Sequence, residues 1–112
     1  VLADRFLLAN VVYQGHAGGP DPAELWRVGT FSTGGIEPDL TLILDLSVEA
    51  SMARRKPGAD RMESRGDAFF ARVRAGFLAE AARRPERHRV IDATPAVDIV
   101  QESLRREIAT FL

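Results

Sequence analysis

The sequence has no cysteine, one lysine, one tryptophan and one tyrosine among its 112 residues. Without cysteine there is no disulfide framework, no zinc ribbon and no thiol nucleophile, and a reducing intracellular compartment is the simplest setting. Neither sign of charge dominates, since 15 Lys plus Arg stand against 16 Asp plus Glu for a net charge of −1. Such a chain has no overall field to hold a nucleic-acid backbone, so an anion site must come from local clustering of Arg. No nucleic-acid partner is expected. Long hydrophobic runs are missing too: none reaches the roughly 18 residues that cross a bilayer, and the opening lacks the basic, apolar, small-residue order of a secretory signal. The expectation is a cytoplasmic chain without a membrane partner. The two histidines, His16 and His88, are too far apart to form a ligand-spaced group, and no metal site is expected. A Ser nucleophile elbow and a phosphate-cradling glycine loop with its Lys are both absent from these residues.

What is present describes one globular domain or part of one, with 46% apolar and 28% charged residues. Fourteen of the 15 basic residues are Arg, a side chain suited to planar, bidentate recognition of phosphate or carboxylate. Val1-Leu2-Ala3 reads as the end of a buried strand that delivers Asp4-Arg5 to a rim. Phe6 to Gln14 fits a helix stopped by Gly15 and by Gly18-Gly19-Pro20. Asp21-Pro22-Ala23-Glu24 places an acceptor at a cap and Pro at the first helical position, which predicts a helix to about Phe31. Leu40 to Leu46, LTLILDL, is the clearest strand, apolar enough to be buried on both faces of a parallel sheet.

Ser47 can cap a helix to about Arg54, after which a charged segment with breakers runs to Gly66. Asp67 is placed as the cap of a long helix whose Phe69, Phe70, Val73, Phe77 and Leu78 share one face, with Arg72, Arg74 and Glu80 elsewhere. Arg89 to Ala93 is a short strand candidate. Thr94-Pro95 is read as the start of a last helix, with Val97, Val100, Leu104, Ile108 and Phe111 forming one stripe against a core. The alternation is α/β and implies parallel strands joined by right-handed crossovers, with ligands beyond the strand ends that carry Asp4-Arg5, Asp45 and Asp92.

Three groups carry candidate chemistry. A guanidinium held by a neighbouring carboxylate, as in Asp4-Arg5, can grip a phosphate while the carboxylate faces a metal or its water. Asn10 and Tyr13 lie three apart on one helix, where an amide and a phenol ring could hold a base and a sugar, with Gln14 one residue off that face. Arg54, Arg55, Lys56, Arg61 and Arg65 crowd a segment with the look of a hinged lid, able to stabilise charge on transferring oxygens and exclude water. A second basic run, Arg83 to Arg89, has no stacking aromatic beside it and reads as favourable charge at a helix end.

Taken in order, Val1-Leu2-Ala3-Asp4-Arg5-Phe6, Asn10-Val11-Val12-Tyr13-Gln14-Gly15, Pro38 to Leu46, Arg54, Asp60-Arg61-Met62-Glu63 and Ile91-Asp92-Ala93-Thr94 resemble the thymidylate kinases over nearly the whole chain. The resemblance implies part of a P-loop nucleoside monophosphate kinase, a three-layer α/β/α fold with a parallel sheet, and phosphorylation of dTMP to dTDP by ATP with Mg²⁺. It implies that Arg5 binds the dTMP phosphate, that Asp4 orders it and the metal's water shell, and that Asn10, Tyr13 and Gln14 line the nucleoside pocket. In that pocket Tyr13 packs on the deoxyribose. Arg54, Arg55 and Arg61 match the lid, placed at about 54–66, and Ala93, Thr94 and Pro95 match the adenine-side loop. A homodimer is possible for the family.

The family's opening strand, glycine loop and thymine-holding residues are missing, so residues 1–112 read as the C-terminal part of a single kinase domain. On its own the 112-residue polypeptide is expected to turn over no dTMP, which a Mg²⁺-dependent assay of the purified chain checks. The alternatives are a deoxynucleoside kinase or another nucleoside monophosphate kinase, and a truncated, non-catalytic nucleotide-binding paralogue.

Overall fold

The structure, a computed structural model, describes residues 1–54 and 66–112. Arg55 and Arg61, and most of the predicted lid, lie outside the described residues. The described chain is mixed α/β, with a small parallel sheet and five α-helices.

Helix α1, Leu7–Asn10, passes directly into a π-helical turn, Val11–His16. Such turns fit an extra residue into the helical repeat and are uncommon enough to need local support. Here Val11 and Val12 supply it, both with no exposed surface. Helix α2 covers Pro22–Ser32 with the expected signals: Asp21 accepts from the Ala23 backbone N–H at 3.0 Å, and Pro22 opens the first turn.

Strand β1, Thr41–Asp45, leads to helix α3, Val48–Arg54, whose Ala50 N–H donates to Ser47 Oγ at 3.1 Å. Helix α4 spans Gly66–Arg83, and strand β2, His88–Asp92, pairs with β1 in parallel register from Thr41 opposite His88 to Asp45 opposite Asp92. Helix α5 is Val97–Phe111. The core lies between α1, the π turn, α4 and the sheet, and is built from Leu8, Val12, Ala17, Ile43, Phe69, Val73 and Ala81. Close approach of α4 to the π turn requires Gly76, where a Cβ would stand 2.7 Å from His16 Cβ and 3.1 Å from Val12 Cγ1.

Several expectations are corrected. Val1 to Ala3 form no strand and are exposed, because the described sheet has two strands and β1 takes β2 as its neighbour. A strand without a ladder partner has nowhere to place its backbone polar groups except water. β1 is not buried on both faces: Ile43 is, whereas Leu44 is 54% exposed, and Val90 on β2 is 45% exposed. Asp67 sits inside the first turn of α4 rather than at its cap, where its charge suits the positive end of the helix dipole.

Thr94-Pro95 does not open α5. The Asp92 carboxylate accepts from the Thr94 N–H at 2.9 Å, which folds a short turn there, and the helix begins two residues later at Val97. Nor is the apolar stripe of α5 fully covered, since Val97, Ile108 and Phe111 are exposed while Val100 and Leu104 are half-buried. The largest correction concerns Glu80, which lies in the core at 5% exposure instead of facing away from it.

Candidate functional site

Arg5 is the one described residue other than glycine with a positive φ, +66°. Left-handed backbone costs an L-residue with a Cβ about 1–2 kcal/mol, and such strain gathers where a side chain has to be aimed. The aim is visible here: the Arg5 guanidinium carbon stands 5.8 Å from the centroid of the Tyr13 ring, within cation–π range. Tyr13 is half-buried and is held from the other side by helix α4. Its ring lies 6.1 Å from Phe69 and 6.3 Å from Phe77, the latter edge-on, and Phe69 in turn meets Phe70 at 5.3 Å. A cation and a phenol ring thus share one rim, backed by three Phe rings. Asp4, Asn10 and Gln14 are exposed beside them in sequence.

A second group forms at the C-terminal ends of the two strands. Arg54, at the end of α3, donates from Nη2 to the Thr94 carbonyl at 2.7 Å and to the Pro95 carbonyl at 3.4 Å. Ala93 is buried and donates its N–H to the Asp45 carbonyl at 2.8 Å. The Thr94 hydroxyl and backbone N–H hold the Asp92 carboxyl below its ordinary range. Arg74 grips Asp45 through two bonds, Nε to Oδ1 at 2.8 Å and Nη2 to Oδ2 at 3.1 Å, and this contact raises the Arg74 pKa. Helix α4 therefore serves both groups, with Phe69 and Phe77 behind Tyr13 and Arg74 on the strand end.

Sequence reasoning put Arg5 and Tyr13 in one acceptor pocket, and the structure brings them together; it put Arg54 with the lid and Thr94 and Pro95 with the adenine-side loop, whereas the structure joins Arg54 to the carbonyls of Thr94 and Pro95. Sequence reasoning missed the cluster around Glu80. Trp26 Nε1–H donates to Glu80 Oε1 at 2.7 Å, and Arg83 donates to the same oxygen from Nη2 at 2.7 Å and from Nε at 3.1 Å. His16 Nε2 is 3.0 Å from Oε2; a carboxylate offers only acceptors, so Nε2 is the donating nitrogen. Two signals were available. Glu80 follows Val73 by seven residues and Phe69 by eleven, which is the spacing of the apolar face, and a buried Trp needs an acceptor for its N–H.

Burial among apolar groups pushes the Glu80 carboxyl up, but the hydrogen bonds from His16, Trp26 and Arg83, with the Arg83 charge, outweigh it and leave the pKa lowered. A carboxyl depressed in the folded state contributes stability that is present above its unfolded value of about 4.3 and is lost as pH falls through the folded value. Wild type is accordingly expected to lose stability more steeply on acidification than a Glu80→Gln variant, which is less stable at neutral pH and converges with wild type once the carboxyl is protonated. Circular dichroism against pH for the two chains checks this.

A surface depression of about 540 Å³ lies to one side, lined by the Gly15–Pro22 backbone and Arg72. None of Arg5, Asn10, Tyr13 or Arg54 reaches it. Among the described residues no group of three or more His, Asp or Glu could hold a metal, and no helix is long and apolar enough to cross a membrane.

The family model described as Thymidylate kinase matches residues 1–104. The chain belongs to the thymidylate kinase family. Among similar curated proteins, the thymidylate kinase of Rhodopirellula baltica is 49% identical over 104 residues, covering 93% of this chain and 42% of the relative. That of Pelotomaculum thermopropionicum is 45% identical over 103 residues, covering 89% and 48%. The thymidylate kinase of Cupriavidus pinatubonensis is 40% identical over 114 residues, covering 98% and 55%. The chain thus spans about half the length of the curated relatives it matches.

Proposed function

We propose that this chain supplies the acceptor side, the lid and the adenine-side loop of an enzyme that phosphorylates dTMP to dTDP with ATP. It would form the C-terminal part of a single three-layer α/β/α domain of the P-loop nucleoside monophosphate kinase type, working in the cytoplasm, with a homodimer as a further option. The observation that carries the reading is the strained Arg5, whose guanidinium is turned over the Tyr13 ring. A fork of donors beside an aromatic face matches a ligand with a dianionic head on a ribose-like ring.

In this reading Arg5 binds the dTMP phosphate and orients one of its oxygens. That oxygen attacks the γ-phosphorus of ATP, the bond to the β,γ-bridging oxygen breaks, and ADP leaves. Tyr13 packs on the deoxyribose and leaves no room for a 2′-hydroxyl, while Asn10 and Gln14 address the nucleoside. Arg55 and Arg61 bring charge to the transferring phosphoryl group, where positioning and electrostatic stabilisation do most of the work. Arg54, matched to the lid by sequence, donates to the Thr94 carbonyl, which supports reading it as steadying the adenine-side loop rather than as meeting the transferring phosphoryl group.

Mg²⁺ demands octahedral oxygen ligation, keeps several waters and is usually held by substrate phosphates with one or two carboxylates. The exposed carboxylate of Asp4 would help to hold such an ion, which would supply neutralisation of phosphate charge.

The test is a titration of the intact protein with dTMP, with dAMP, dCMP and thymidine as competitors. dTMP is expected to bind at least about tenfold more tightly than the others, a difference of ~1.4 kcal/mol. Equal competition by thymidine would remove the phosphate-gripping role and point to a deoxynucleoside kinase, and equal competition by dCMP would point to another nucleoside monophosphate kinase.

A further inference from the structure

Glu80 is a charged side chain that neither rim uses, yet it is among the most buried polar groups of the chain, at 5% exposure. Its partners come from three different elements: His16 ends the π turn, Trp26 lies in the middle of α2, and Arg83 closes α4. The Arg83 guanidinium also lies over the Trp26 ring at 5.6 Å, which closes the cluster on its outer side. No buried side-chain donor or acceptor among the described residues lacks a partner. A well-packed apolar group could fill the same space at lower desolvation cost, so what the carboxylate adds is direction: it fixes where each donor must stand.

The direction bears on Tyr13. The π turn Val11–His16 carries Tyr13 at its centre, and its first half is anchored by the fully buried Val11 and Val12. Its other end is anchored by the His16–Glu80 bond, at a place where Gly76 lets α4 come within contact of the His16 side chain. Helix α4 thereby holds the turn at two points about one helical turn apart, Phe77 against the Tyr13 ring and Glu80 against His16. Releasing the second point removes the polar restraint at the C-terminal end of the turn and leaves the apolar contacts of α4 with Val12 and the Tyr13 ring to hold it.

We propose that Glu80 is a positioning residue for the nucleoside pocket, acting through His16 to set the Tyr13 ring and with it the discrimination between deoxyribose and ribose. The inference rests on the reading of Tyr13 as the residue that meets the sugar. Glu80 itself touches no substrate. A carboxylate holding a donor in place is the kind of support that keeps a site within the narrow geometric tolerance that recognition needs.

The experiment uses the intact protein and compares wild type with Glu80→Leu, Glu80→Gln and His16→Ala. The readouts are KM for dTMP, KM for ATP, and the ratio of kcat/KM for dTMP over its 2′-hydroxyl counterpart. In Glu80→Leu the KM for dTMP is expected to rise about tenfold and the deoxy/ribo ratio to fall by a similar factor, with KM for ATP unchanged. Glu80→Gln keeps the volume and one acceptor oxygen, and can meet His16 only with its amide donating to Nε2 in the other imidazole tautomer, so it is expected to restore part of both. His16→Ala cuts the same link while leaving Glu80 its other donors, and it carries the test should Glu80→Leu fail to fold.

Unchanged KM for dTMP and an unchanged ratio in a folded Glu80→Leu or His16→Ala protein, with only the melting temperature lowered, would overturn the inference and leave Glu80 a purely structural residue. A uniform loss of kcat with dTMP and ATP affected alike would overturn it equally. A wild type that does not act on dTMP brings down the functional reading and this inference with it, an outcome distinct from the other two.

Discussion

If Arg5 grips the phosphate as proposed, Arg5→Ala is expected to weaken dTMP binding to the intact protein by roughly 1.5–3 kcal/mol, the scale of a charge-assisted contact. Arg5→Lys recovers only part of that, because an ammonium keeps the charge but loses the fork. The informative variant is Arg5→Gly. At φ +66° glycine relieves strain that Arg bears, so this variant is expected to be more stable by about 1 kcal/mol while losing as much affinity as Arg5→Ala. Calorimetric titration with dTMP and a thermal melt of the same samples give both numbers. Full affinity in either variant would leave the strained backbone without a function and detach the Tyr13 rim from phosphate recognition.

The second large effect is at Glu80. Glu80→Ala is expected to destabilise the fold by about 2–4 kcal/mol, since it strands two inward-pointing donors, Trp26 Nε1–H and His16 Nε2–H, and opens a void beside them. Arg83 contributes less to that sum because its side chain is 54% exposed and can turn to water. Arg74→Ala is the control. It removes an ion pair with better geometry, two bonds to Asp45, but from a side chain 43% exposed, and exposed pairs are worth roughly 0–1 kcal/mol. Denaturant unfolding of the three chains ranks them. A Glu80→Ala cost no larger than that of Arg74→Ala would show that water reaches the cluster.

The sequence carried the local signals well. Asp21 before Pro22, the apolar LTLILDL run and Ser47 before Val48 each announce an element that begins within a residue or so of the expected place, because capping and local propensity act through near neighbours, although the expected burial of the LTLILDL strand on both faces failed. Three features were illegible for distinct reasons. Val1 to Ala3 read as strand because their side chains suit one, yet a strand exists only with a partner, and pairing is not written in the segment itself. Glu80 was placed on the wet side of α4 by residue type; its burial depends on donors 54 and 64 residues away. The left-handed backbone at Arg5 has no sequence signature, since the residues that adopt such angles readily are Gly, Asn and Asp.

The candidate site divides the same way. The Arg5 and Tyr13 pair was foreseeable from motif order, whereas the bond that takes Arg54, read with the lid, to the Thr94 carbonyl was not. Guanidinium groups on the predicted lid are interchangeable at the level of composition. Only geometry shows that Arg54 braces a loop.

Among the described residues, β1 and β2 have each other and no second neighbour, and their outer rows of amides and carbonyls border the apolar Leu44 and Val90. A polypeptide of these residues alone therefore meets its own copies as ready templates for strand addition. How long it stays dispersed is governed by concentration: diluting a preparation tenfold protects it more than cooling it does.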